Sequence, residues 1–116
     1  MKMYQSIHEV QIEDVLVLLT DWEQGEISRE DVFGFVEGLS YLEKQGWPQY
    51  HKSDSRSILF AVLQSLELMY SQPTLEEDIP ALKRCLEIGQ EDALEAWEFI
   101  HAYWDTINWQ QRLNQL

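Results

Sequence analysis

Apolar positions along this chain recur mainly at steps of three and four, the period of helices that bury one face. Val10, Ile12, Val15, Leu16, Leu18, Leu19 and Trp22 wrap most of a helical circumference. The spacing predicts a first helix over about Ile7–Gln24, and a helix apolar nearly all round is expected at the centre of a fold. The run Val15–Leu19 also fits a buried strand, but the Glu and Gln residues around it favour a helix. Ser6 and Glu9 have capping-box spacing at its start, and Gly25 supplies the stop.

A second helix follows Ser28 as N-cap, with Glu30 and Asp31 on the positive end of its dipole. It carries Val32, Phe35, Val36, Leu39 and Leu42 at helical spacing. Gly46 ends it, and Trp47-Pro48 confirms the break, because a residue before proline avoids the helical region. After a loop over residues 46–53, Ser53 or Asp54 starts a third helix. Its stripe is Ile58, Val62, Leu66 and Met69, widened by Leu59, Leu63 and Tyr70, and it stops before Pro73.

Thr74 to Glu77 repeats the capping-box spacing, yet Pro80 would then fall inside a helix. A short turn over Thr74–Glu77 with Asp78 as the cap places Pro80 in a first turn, where its missing N–H costs little. That fourth helix carries Ile79, Leu82, Cys85 and Leu86 and ends at Gly89. A last helix is expected from about Gln90 to Ile107, continuing or restarting at Asn108 towards Leu116. No hairpin dipeptide such as Asn-Gly or Asp-Gly occurs. The expectation is an all-α protein, residues 1–116 forming a single helical domain, an irregular bundle of about five helices.

Charge changes the picture from fold to partner. The 116 residues hold 21 Asp and Glu against 8 Lys and Arg, a formal net charge of −13. Solubility of a small domain asks for a net charge of about 2–8 in magnitude. A hydrophobic content of 45% and five Trp show a chain able to build a core rather than an acidic disordered tail. Such acidity repels phosphates, so direct binding to nucleic acid or to an anionic membrane is not expected. It favours a basic protein as partner. No stretch approaches the roughly 20 apolar residues that span a bilayer, and the lone Cys85 fits a reducing compartment. The expected location is cytoplasmic.

The acidic residues are not spread at random. Glu91, Glu95, Glu98 and Asp105 fall within about 80° of one another on a helical wheel, with Leu94, Trp97, Ile100, Trp104 and Ile107 expected on the far side. No Lys or Arg occurs between Arg84 and Arg112, so no intrahelical pair relieves the stripe. It is either a solvated face or a docking face for Arg and Lys of a partner. A second group, Asp21, Glu23, Glu26, Glu30 and Asp31, surrounds the first interhelical turn with Arg29 as its base. Glu76-Glu77-Asp78 precedes a helix start and reads as capping or as partner contact.

Chemical motifs are few. Glu98-Phe99-Ile100-His101 has the Glu-x-x-His spacing of di-iron bundles, but such a site needs two copies. His8 has Gln5 and His51 has Pro48 at the matching position. One Cys and three His make no zinc motif. Gly-x-Ser-x-Gly and phosphate-binding glycine loops are absent, and Cys85 has the spacing of a small core residue. A non-enzyme without cofactor or metal is expected. Gly34 and Gly38 sit mid-helix at about 1 kcal/mol each relative to Ala, which close backbone approach or a docked partner element would offset. Phe60 falls on the more polar side of its helix, a candidate interface residue. Trp97 and Trp104 read as core, Trp47 and Trp109 as edge packing or interface anchors.

The segment Leu18-Leu19-Thr20-Asp21-Trp22-Glu23-Gln24-Gly25-Glu26-Ile27-Ser28-Arg29-Glu30-Asp31-Val32 resembles small helical bacterial immunity proteins, those of the colicin D type among them. The resemblance implies an immunity protein of a colicin or contact-dependent inhibition system. Such a protein binds a toxin domain, often a nuclease, and blocks its active site. The expected function is therefore an acidic, non-catalytic binding protein that occupies the basic groove of a cognate toxin. The contacts expected are Glu91, Glu95, Glu98 and Asp105, then Asp21, Glu23, Glu26, Glu30 and Asp31. A helical adaptor or regulatory subunit docking through an apolar groove near Gly34, Gly38 and Phe60 is the alternative, and an enzyme with a carboxylate-bound divalent metal is a third class.

Overall fold

The computed structural model describes residues 10–43, 54–68 and 72–115, the side chains of 40–43 excepted. Over these residues the chain is all-α. Its helices are α1 (Ile12–Glu23), α2 (Arg29–Glu43), α3 (Ser55–Glu67), α4 (Ile79–Gly89), α5 (Ala93–Asp105) and α6 (Trp109–Gln115), with a 3-10 turn at Glu76–Asp78. The count of six exceeds the expected five because the last helix breaks at Thr106 and restarts after Asn108, whose side chain accepts the Gln111 N–H at 3.0 Å. The Ser6–Glu9 box, the stop at Gly46 and Trp47-Pro48, His8, His51, Met69, Tyr70 and the Leu42 side chain lie outside the described residues.

Local chemistry sets most of the boundaries. Gly25 adopts φ +78°, a conformation open to glycine at little cost. Its N–H donates to Trp22 O at 3.0 Å and the Glu26 N–H to Asp21 O at 2.8 Å, the paired bonds of a Schellman stop. Three residues on, Ser28 and Asp31 close a reciprocal box. The Asp31 N–H donates to Ser28 Oγ at 3.1 Å and the Ser28 N–H to Asp31 Oδ2 at 2.9 Å. Asp54 caps α3 by accepting the Arg56 N–H at 2.9 Å, and Asp92 caps α5 by accepting the Glu95 N–H at 3.0 Å.

Two starts differ from expectation. Val10 and Gln11 precede α1 rather than lying inside it, because the Asp14 carboxylate takes the Gln11 N–H at 2.9 Å and fixes the first turn there. The last long helix starts at Ala93, leaving Gln90 and Glu91 in the turn from α4.

One cluster of buried side chains draws on α1 to α5. The elements with the most neighbours are α3 and α4, not α1. Four successive residues, Ser57, Ile58, Leu59 and Phe60, are buried, and α3 packs on α1, α2, α4 and α5. By contrast α1 leaves Val17 59% exposed, so its near-continuous apolar wheel overstated its burial. α4 and α1 lie antiparallel: Lys83 Nζ donates to Glu23 Oε1 and Gln90 Nε2 to Glu13 Oε1, both at 3.3 Å.

Phe60 is a core residue, 4% exposed, with the Arg56 guanidinium 5.3 Å from its ring centroid. The expected interface role therefore fails, because the side of α3 that carries Phe60 is packed within the bundle. The expected close approach at Gly34 and Gly38 fails as well: both are exposed, and among the described residues no atom outside their own helix lies within 4 Å of an added Cβ. The tight glycine is Gly89, where an added Cβ would stand 2.8 Å from Ile58 Cγ2. α4 meets the start of α3 at that point. Among the described residues, no helix is long and apolar enough to cross a membrane.

Candidate partner-binding surface

The residues that face the core fix how α5 presents its charges. Ala93, Ala96 and Ile100 are its buried positions. Two alanines bring its N-terminal half close to α4, where the Cys85 thiol lies 3.7 Å from Ala96 O. This rotation places Trp97 and Trp104 at the flank, half-buried, and leaves Leu94 53% exposed. Leu94 was expected on the inner side; the small alanines take that side instead.

Glu91, Glu95, Glu98 and Asp105 are all exposed. Glu91 sits in the turn before α5, and its N–H donates to Ile88 O at 3.0 Å. Glu95, Glu98 and Asp105 lie on α5 itself. None of the four carboxylates has a cationic partner among the described residues.

The second acidic group is arranged differently. Glu26 and Glu30 are exposed and Asp21 is half-buried. Glu23 is paired with Lys83 at 3.3 Å. The Asp31 carboxyl is held below the usual carboxylate range by the Ser28 N–H and hydroxyl. Arg29 Nε donates to Thr74 O at 3.3 Å. α5 packs chiefly on α4 and α3, so the two acidic groups belong to separate parts of the bundle. Two of the five residues around the first turn are engaged within the chain, while the α5 group meets no cation among the described residues.

The strongest electrostatic feature escaped the sequence. Asp78, expected as the cap of α4, is 0% exposed, and its side chain makes no cap bond to α4. Its carboxylate instead accepts Arg112 Nη1 at 2.6 Å, Arg112 Nη2 at 2.8 Å, the Leu75 N–H at 2.8 Å and the Tyr103 hydroxyl. Arg112 also donates to Pro73 O at 3.0 Å and lies 3.5 Å from Glu77 Oε1. Burial alone would push the Asp78 carboxyl up, but the guanidinium and the two other donors outweigh it and hold the carboxyl below its usual range. Burial and the adjoining Asp78 carboxylate push the Tyr103 hydroxyl up to about 12. A buried carboxylate with four donors is a fully satisfied ion pair. Its partners lie 25 and 34 residues away, beyond any local pattern.

α6 buries no residue of its own. The Asp78–Arg112 pair and the Trp104–Trp109 ring contact, 5.4 Å between centroids, hold it against the body. Trp109 then closes one end of a cleft of about 320 Å³ between α3 and α5.

Cys85 is not set up as a nucleophile. Burial pushes the Cys85 thiol up to about 12, so it stays protonated and shielded at neutral pH. Among the described residues, no group of three His, Cys, Asp or Glu could hold a metal ion, and His101 stacks on Trp97 at 5.3 Å. No family model matches the chain, and no curated protein or solved structure shows significant similarity to it.

Proposed function

We propose that this chain is an acidic, non-catalytic binding protein that neutralises a basic partner, and that the partner is a toxin domain whose basic substrate groove it occupies. The observation that carries this reading is the outer face of α5, where Glu95, Glu98 and Asp105, with Glu91 in the preceding turn, stand exposed and meet no cation among the described residues. Carboxylates arrayed in this way supply charge-assisted acceptors for Arg and Lys and mimic the phosphates that a nuclease groove would hold. A net charge of −13 adds long-range attraction, which speeds encounter with a cationic surface by roughly 10–10³.

The test is to recover the binding partner from the native cell and follow its association by stopped flow. Raising salt from about 0.01 M to about 1 M shrinks the screening length from about 30 Å to about 3 Å. The association rate should fall by about tenfold or more over that range. It should also fall when Glu91, Glu95 and Glu98 become Gln and Asp105 becomes Asn. A partner that is not basic, or a rate indifferent to both changes, overturns the reading.

A further inference from the structure

We propose that the cleft between α3 and α5 is a receptor for a single cationic side chain of a polypeptide partner, an arginine or lysine laid against the Trp104 and Trp109 indoles. This inference rests on the reading of a basic partner and gives it an anchor point. Trp97, Trp104 and Trp109, with the buried Val62 and Ile100, supply its apolar lining, and polar side chains such as Gln72 and Thr74 complete it. Indole faces attract cations through their quadrupole, while an apolar lining suits the methylene stem of Arg or Lys. The volume, about 320 Å³, leaves ample room for one Arg or Lys side chain.

Helix geometry places this aromatic wall beside the open acidic face. Taking Ile100 as the inward reference and 100° per residue, Trp104 lies about 40° round α5 and Trp97 about 60°. His101 follows at about 100°, Asp105 at about 140° and Glu98 at about 160°. The order is core, indoles, imidazole, carboxylates. Asp105 lines the cleft and is exposed, so it stands at the mouth where a guanidinium would enter. A cation drawn to the carboxylates meets the indoles next, and both interactions gain as water is displaced. The same chemistry already operates within the chain: the Arg112 guanidinium sits 5.5 Å from the Trp109 ring centroid. A purely apolar anchor would leave the exposed Asp105 carboxylate at the mouth without a counter-charge, whereas a cation meets it, so charge complementarity selects a cation.

The experiment uses the full chain labelled with ¹⁵N and three blocked hexapeptides of sequence acetyl-Gly-Ser-X-X-Ser-Gly-amide. X is arginine, citrulline (the same shape without charge) or norleucine. The arginine peptide should give saturable shifts at the Trp104 and Trp109 indole N–H signals and at the Ala61 and Ser65 amides. The buried Trp22 indole should stay in place as an internal reference. Citrulline and norleucine peptides should bind about fivefold or more weakly. Asp105→Asn should weaken the arginine peptide, and Ala61→Gln, which fills the cleft from a half-buried position in its lining, should abolish the cleft shifts while the protein stays folded, as the unmoved Trp22 indole signal would report. Equal binding of the norleucine peptide makes the cleft an apolar groove and overturns the proposal. Shifts confined to Glu91, Glu95 and Glu98, with the cleft silent, overturn the cleft while leaving the acidic-face reading intact. No saturable shift anywhere counts against the cleft, and the salt dependence of the recovered partner then decides the broader reading separately.

Discussion

Asp78 and Glu98 carry the same functional group and hold opposite positions in this molecule. Asp78 is removed from water and answered by a guanidinium, a phenol and a backbone N–H. Glu98 stands in solvent on α5 with no cation among the described residues. A buried charge must be satisfied locally or the fold does not tolerate it, so Asp78 is bound to structural work. An exposed carboxylate has no such obligation and is available to another molecule. Net charge thus says little until the carboxylates are sorted by what already neutralises them. Glu23 and Asp31 sit between the extremes, one paired with Lys83 and the other spent on a helix start.

The contrast can be broken most severely at Arg112. Arg112→Ala leaves the Asp78 carboxylate buried and unpaired, which costs about 3–5 kcal/mol, read as a lower urea midpoint. A loss as small as that of a surface substitution would mean that the pair is not closed in solution. Tyr103→Phe removes one donor and leaves the guanidinium, so a smaller loss of about 1.5–3 kcal/mol is expected.

Acid titration sharpens the contrast further. The Asp78 carboxyl is depressed in the folded state, so its stabilisation is complete above the unfolded value of 3.8 and is lost as pH falls through the still lower folded value. That acid limb should flatten in Asp78→Asn when unfolding midpoints are compared below about pH 4, and persist in Glu98→Gln. The alkaline side has the reverse sign. The Tyr103 hydroxyl is raised from 10.0 to about 12, so its contribution is whole below 10 and fades as pH climbs towards 12. The smallest effect on stability belongs to Glu95→Gln with Glu98→Gln. That double variant should keep the wild-type urea midpoint or raise it slightly by relieving repulsion, while slowing association with a basic partner.

How far the sequence could be read follows the range of each interaction. Gly25, Ser28, Asp54 and Gly89 mark boundaries because caps and stops act within three or four residues, and all four stand at or beside the expected ends. The face that α5 buries was misread because Ala93 and Ala96 are too small to draw notice beside Leu94. Yet small residues are what a close helix pair requires, and the tight packing at Gly89 against Ile58 follows the same logic. Phe60 was misplaced because a wheel describes one helix, whereas its burial depends on four neighbouring elements around α3. Of the candidate site, the α5 carboxylates and the indoles at 97 and 104 were visible as a pattern. The cleft they flank was not, since its opposite wall comes from α3 and its end from α6. The Asp78–Arg112 pair left no local trace at all.

α6 is seven residues long, well short of the roughly 12–15 that hold a helix together unaided in water. Its shape is therefore borrowed from the body through one guanidinium and one pair of tilted indoles in contact. Amide hydrogens along residues 109–115 should exchange far sooner than those of α4, because this segment can come loose while the interior stays shut. The end wall of the cleft thus behaves as a latch: whatever loosens the salt link beneath it reshapes the opening before the rest of the protein responds.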